Sequence, residues 1–223
     1  MGKIWLSSYL TVSLSFVLII VLLIVLLIYT FKYFYNFIYY KNICSSLDGR
    51  CYNISTKFDK NTYIDASDRL AYLNIFSITL IKYLRNKYVF NNAGNNYMYY
   101  MVIQLLKNYD PNNIIENTPK TNVNTSYVED KGKVFAICLR EKITGDNNIH
   151  DKHTLEFILL HELAHLASYN YGHGYEYWTN FKILINEAYI MGLHDPIDYS
   201  LNPVNYCSLV IDYNPYFDNN LII

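Results

Sequence analysis

Apolar positions fall into two regimes along this chain. Residues 9–31 (YLTVSLSFVLIIVLLIVLLIYTF) carry no charge over 23 positions. A helix rising about 1.5 Å per residue takes such a run roughly 34 Å, enough to cross a hydrocarbon core of about 30 Å. From residue 66 onward the apolar residues become periodic. Leu70, Leu73, Phe76, Leu80 and Leu84 recur at threes and fours, which predicts an amphipathic helix. Met98, Met101, Val102 and Leu105 predict a second over 95–107, stopped by Asp110-Pro111. Residues 133–141 (KVFAICLRE) are apolar on both faces and lie between Gly132 and Gly145, as a short buried strand does. Residues 152–168, with Asp151 as N-cap, include TLEFILLHELAHLA and are apolar nearly all round, so this helix is expected inside the domain. Asn170-Tyr171-Gly172-His173-Gly174 breaks it, and a last helix over 175–191 shows Trp178, Phe181, Ile185 and Ala188 on one face.

The segments between are polar. Residues 41–65 show little periodicity, 112–124 are rich in Asn, Thr and Pro, and the tail from Asp195 holds Pro196, Pro203 and Pro215. The expected organisation is therefore a transmembrane signal-anchor at 9–31, a juxtamembrane tether at 32–65 and one domain at 66–223. That domain is expected to be α+β and mostly helical, with a small sheet. Residues 112–124 read as a loop and the tail from 195 as an extended wrap. No internal repeat is visible.

A cleaved signal peptide carries an apolar core of about 7–15 residues before a small-residue site. Here the run is longer and Phe31-Lys32-Tyr33-Phe34-Tyr35 follows it, aromatics that suit a headgroup belt. A retained anchor is expected. Lys3 precedes the span and Lys32, Lys41 and Arg50 follow it, an asymmetry too small to fix the orientation. Eighteen Lys and Arg against 19 Asp and Glu give a net charge of −1, so the electrostatic footprint of a nucleic-acid binder is missing and no nucleic-acid partner is expected. Cys44, Cys51, Cys138 and Cys207 form no CxxC, which disfavours a thiolate zinc site. Cys44 and Cys51 are spaced to close a small loop in an oxidising compartment, or to stay as free thiols. The sequons Asn53-Ile54-Ser55 and Asn124-Thr125-Ser126 carry little weight in so Asn-rich a chain.

Chemistry is concentrated in the interior helix, where His161-Glu162-Leu163-Ala164-His165 forms an HExxH. Four residues turn a helix by about 400°, so both imidazoles project from one face and can reach one Zn²⁺. Glu162 stands beside them, placed to handle a water proton without ligating the metal. Three ionisable groups on an apolar helix are costly to bury unless they are used. A third ligand must come from elsewhere. His173 lies between Gly172 and Gly174, which permit a tight reversal. Glu187 on the next helix is the main rival, and Glu176 a weaker one. His150, His153 and His194 are expected in loops or at helix ends, without a ligand role.

The segment HELAHLASYNYGHGYEYWTNFKILINEA resembles the active-site region of the WLM and SprT-like zinc metalloproteases, where HExxH is followed by a His-Gly or His-x-x-x-Phe/Trp step into another helix. KGKVFAICLRE, IHDKHTLEFILLHELAH and NPVNYC are similar to predicted metalloproteases of large DNA viruses. The likeness covers residues 126–215, about 40% of the chain. It implies a zincin-like fold, zinc held by His161, His165 and His173, and Glu162 as general base in hydrolysis of a peptide or protein substrate. Seven residues separate the second and third histidines here, against the five typical of WLM proteins and metzincins. By analogy with zincins, strand 133–141 would border the cleft and pair with an extended substrate. Tyr171, Tyr175 and Tyr177 are candidates to donate to the developing oxyanion, against an ordinary packing role for each in a chain with 25 tyrosines. The location implied is a virion or host membrane, with the bilayer contacted through residues 9–31. The contrasting expectation is a catalytically silent zincin-fold structural protein of a viral membrane.

Overall fold

The structure is a computed structural model that describes residues 2–91, 96–117, 125–141 and 144–221. The chain divides into two units, Met1–Tyr40 and Lys41–Ile223. The first is a single helix, α1 (Gly2–Tyr39). Among the described residues, Phe16–Tyr35 is long and apolar enough to cross a membrane, and none of it is buried in the protein.

The second unit is mixed α+β, with small sheets around a helical core. Its first elements occupy the segment expected as a tether. Strands β1 (Tyr40–Cys44) and β2 (Cys51–Ser55) pair as a hairpin closed by a Cys44–Cys51 disulfide. Tyr52, Ile54 and Phe58 are buried in the core. The buried Glu116 carboxylate accepts from Ser55 N at 2.8 Å and from Arg140 Nε and Nη2 at 2.8 and 2.7 Å. A buried ion pair needs its remaining valences met, and this backbone amide meets one. Residues 41–65 are therefore part of the folded domain. Their strands are too short for an alternating pattern to show. Of the two sequons, the first lies in β2 with Ile54 and Ser55 fully buried, and the second begins at Asn124, outside the described residues.

Helix α2 (Tyr63–Arg85) starts three residues before the expected boundary and buries Ala66, Leu70, Leu73, Phe76, Leu80 and Leu84. It runs into a single wide turn, Asn86–Phe90. Helix α3 (Tyr97–Asn108) is capped by Asn96, whose side chain accepts from Tyr99 N. The next segment holds a strand where a loop was expected. β3 (Ile114–Glu116) runs parallel to β5 (Val134–Ile137), and β4 (Tyr127–Glu129) pairs antiparallel with β5 on its other side. Residues 133–141 read as apolar on both faces because β5 is the central strand. Tyr127–Glu129 is an edge. Between β4 and β5, Gly132 adopts φ +100°, and a Cβ there would stand 2.1 Å from the Asn108 carbonyl oxygen, so the turn passes against the end of α3 only as glycine.

Helix α4 (Lys152–Ala167) is capped as expected by Asp151, whose carboxylate accepts from Thr154 N at 2.9 Å. It is buried on nearly every side. Helix α5 (Tyr175–Ile190) packs along it, with Tyr177 and Phe181 beside His161. The tail is not wholly an extended wrap. β6 (Val204–Tyr206) and β7 (Leu209–Ile211) form a hairpin, turned by Cys207 and Ser208 at φ +45° and +68°. A Cys138–Cys207 disulfide ties this hairpin to the end of β5, and Tyr206 Oη reaches Ser126 Oγ and the Cys138 carbonyl.

Candidate metal centre

His161 and His165 stand one turn apart on α4, their ring centroids 5.1 Å apart. His173 comes from the reversal after α4. Gly172 there adopts φ +83°, the conformation that a residue with a side chain resists. The turn is held from two sides. Glu176, in the first turn of α5, accepts from Tyr169 N at 2.7 Å and from Asn170 N and Nδ2 at 3.1 and 2.8 Å. Lys131 Nζ donates to the carbonyls of Ser168 and Asn170 at 2.8 and 3.0 Å, a cation set against the negative end of α4. His173 Nε2 is thereby brought 3.1 Å from His165 Nε2, and one donor nitrogen of each of the three imidazoles lies within 4.8 Å of the others.

Glu187 is elsewhere. Buried on α5, it accepts from Lys87 Nζ at 2.7 and 2.9 Å and from Tyr88 Oη at 2.6 Å, both residues of the wide turn after α2. Glu176 is occupied with the loop backbone. Of the three candidates for the third position, only His173 joins the HExxH pair.

Burial sets the electrostatics. It holds His161 down at about 3 and His165 at about 4, with the neighbouring imidazoles adding to the effect, and it lowers His173 as well. Neutral imidazoles are what a metal needs. The rings of His161, His165 and His173 pack around Tyr177, at centroid distances of 5.2, 4.4 and 4.5 Å. Glu162 is 3% exposed, and burial pushes its carboxyl up to about 8.

These shifts give a stability signature for the metal-free chain. Between pH 4.5 and 8 the folded chain holds a Glu162 proton that the unfolded chain releases, so this group's contribution falls as pH rises through that window. The histidines act oppositely. Their unfolded forms take protons below about 6.5, so their contribution is lost as pH falls below it. From pH 6.5 to 8 Glu162 alone among these four gives a slope, worth about 2 kcal/mol. Calorimetry on the chelator-treated chain in detergent is expected to show Tm declining over that interval, and Glu162→Gln to remove the decline. An equal decline in both proteins would mean that Glu162 is already ionised when folded.

A cleft of about 520 Å³ opens on the three histidines and Glu162. Phe157, Ile158, Trp178 and Phe181 line it from the helices, Val128 from β4 and Val210 from β7. The strands that border it are thus β4 and β7 rather than β5, whose two sides are already paired. Of the tyrosines weighed as oxyanion donors, Tyr171 lines the cleft with its ring under Lys131 Nζ at 4.4 Å. Tyr177 is buried against the imidazoles, and Tyr175 is exposed. Sequence reasoning missed Lys131, β4 and the β6–β7 hairpin. For Lys131 the available signal was its place before Gly132, and nothing marked its target carbonyls.

Ligands about 2.0–2.1 Å from a tetrahedral ion stand roughly 3.3–3.4 Å apart. The 3.1 Å between His165 and His173 Nε2 lies close to that spacing, and these residues fit a zinc-type ion.

The chain is 39% identical over 99 residues to an uncharacterized protein of Acanthamoeba polyphaga mimivirus, covering 44% of this chain and 49% of that one. It is 36% identical over 70 residues to an uncharacterized protein of Invertebrate iridescent virus 6, covering 31% and 39%. With one of Invertebrate iridescent virus 3 it shares 34% over 97 residues, covering 44% and 58%. The relatives are proteins of large DNA viruses, and the chain spans about half the length of the curated relatives it matches. No protein-family model matches it, and no solved structure matches it.

Proposed function

We propose that this viral chain is a membrane-anchored zinc metallopeptidase of the zincin type, with α1 as the anchor and the cleft over α4 as the active site. The observation that carries the reading is the convergence of His161, His165 and His173 beside a buried carboxyl, at the floor of a cleft bordered by an edge strand. His161, His165 and His173 would hold the ion. When bound, Zn²⁺ supplies a Lewis acid that polarises a scissile carbonyl and lowers the pKa of water.

The remaining work belongs to the chain's own groups. Glu162 takes a proton from the attacking water and delivers it to the leaving amine. A carboxyl buried beside the histidines is suited to this because burial raises its affinity for the proton. Tyr177, wedged among the three imidazoles, fixes their orientation. β4, at the edge of its sheet, borders the cleft where an extended peptide backbone would lie, and the apolar walls receive side chains. Lys131 and Glu176 keep His173 in place by holding the loop that carries it.

The test is cleavage of a mixed peptide library by the full chain in detergent, followed by mass spectrometry. Cleavage that stops with a zinc chelator and returns with added zinc is expected. A folded, zinc-loaded chain that cuts no peptide at any pH between 6 and 9 would overturn the proposal.

A further inference from the structure

A second group of metal-type donors sits on the other half of α4. His153 and Glu156, one turn apart, meet His194 from the segment after α5, and one donor atom of each lies within 4.8 Å of the others. Glu156 Oε2 is 3.0 Å from His194 Nδ1 and 3.7 Å from His153 Nδ1. Its other oxygen, Oε1, accepts from the Tyr72 hydroxyl and has Lys152 Nζ at 3.7 Å. The carboxylate is thus divided: one oxygen is held by its own donors, and the other faces two imidazole nitrogens.

A buried carboxylate–imidazole pair needs only His194. The second imidazole stands at 3.7 Å from the same oxygen, beyond hydrogen-bond distance, so hydrogen bonding does not account for its place. An ion between the three would use both imidazoles. Donors around a tetrahedral ion are roughly 3.3–3.4 Å apart, and the two measured edges fall on either side of that value. The group meets solvent on one side, since Glu156 and His194 are buried while the His153 side chain is half-exposed. Lys152 is the opposing charge. Its side chain is more than half exposed and lies on the Oε1 side, so it offsets the carboxylate only in part.

We infer that His153, Glu156 and His194 form a second site for a divalent transition-metal ion of the zinc class, clamping the chain after α5 onto the first turns of α4. Two imidazoles and a carboxylate are a donor set that such ions favour. The site is separate from the HExxH centre and does not depend on peptidase activity.

The experiment is zinc content by elemental mass spectrometry on the full chain in detergent after exhaustive dialysis, with a zinc titration beside it. Two zinc ions per chain are expected in the wild type and one in His161→Ala/His165→Ala. Adding His153→Ala, a half-exposed position whose change leaves the core intact, should weaken that remaining ion by at least about tenfold, the lower end of the cost of losing even an outer-shell partner. His153→Ala alone should take the wild-type count from two to one. A wild-type count of one that survives His161→Ala/His165→Ala but is lost with His153→Ala supports this site and sinks zinc at the first. A count that drops to zero in His161→Ala/His165→Ala, or that ignores His153→Ala, overturns the second site.

Discussion

Glu162→Gln is expected to leave zinc bound and to lower peptide hydrolysis by about 10²–10⁴-fold, the range that a positioned general base contributes. The change is nearly isosteric and removes an ionisable group that burial already penalises, so folding should not suffer. No proposed ligand is touched, because the donors proposed to hold zinc are His161, His165 and His173. The paired measurement is zinc stoichiometry and initial rate on the same preparation. Loss of rate with zinc retained assigns Glu162 the proton transfer. Equal turnover in the two proteins would mean that another group moves the proton. A biological phenotype indifferent to the substitution would favour the silent, structural role weighed from the sequence.

The second large effect separates His173 from Glu187. His173→Ala is expected to weaken zinc at the HExxH centre by at least about 100-fold, beyond the cost of losing an outer-shell partner. His173 is exposed, so the fold should tolerate the change. Glu187→Gln should leave that zinc in place and lower thermal stability instead, because Lys87 loses the carboxylate that holds it at 2.7 Å. Competition with a chromophoric chelator reads the first effect and a melting curve the second. Zinc lost with Glu187→Gln and kept with His173→Ala would reverse the assignment.

The histidine pair was legible because helical periodicity and i, i+4 spacing say the same thing, and Asp151 marks where the helix begins. The way His173 returns was legible through Gly172, whose backbone sign matters at that point. Other features left no local trace. β3 and β4 are three residues each, too short for a period-two pattern to stand out. The tether misreading has a similar cause. Cys44–Cys51 was one of two readings of that pair, but the burial of Tyr52 and Ile54 depends on partners far along the chain. Glu187 was a sound rival on spacing alone. What removes it is Lys87, one hundred residues away in sequence, and no periodicity in either helix announces that pair.

The Cys138–Cys207 bond joins residues 69 apart, and all of α4, the reversal with His173 and α5 lie between them. The stretch that carries the three histidines is therefore a covalent ring within the chain. In the chain-entropy picture a ring of that size restrains the unfolded state by about 4 kcal/mol, against about 2 for the small loop closed by Cys44 and Cys51. A single nick anywhere inside the ring leaves His161, His165 and His173 tethered to the same molecule. Such damage would pass unseen on a non-reducing gel and would appear as two fragments only after reduction.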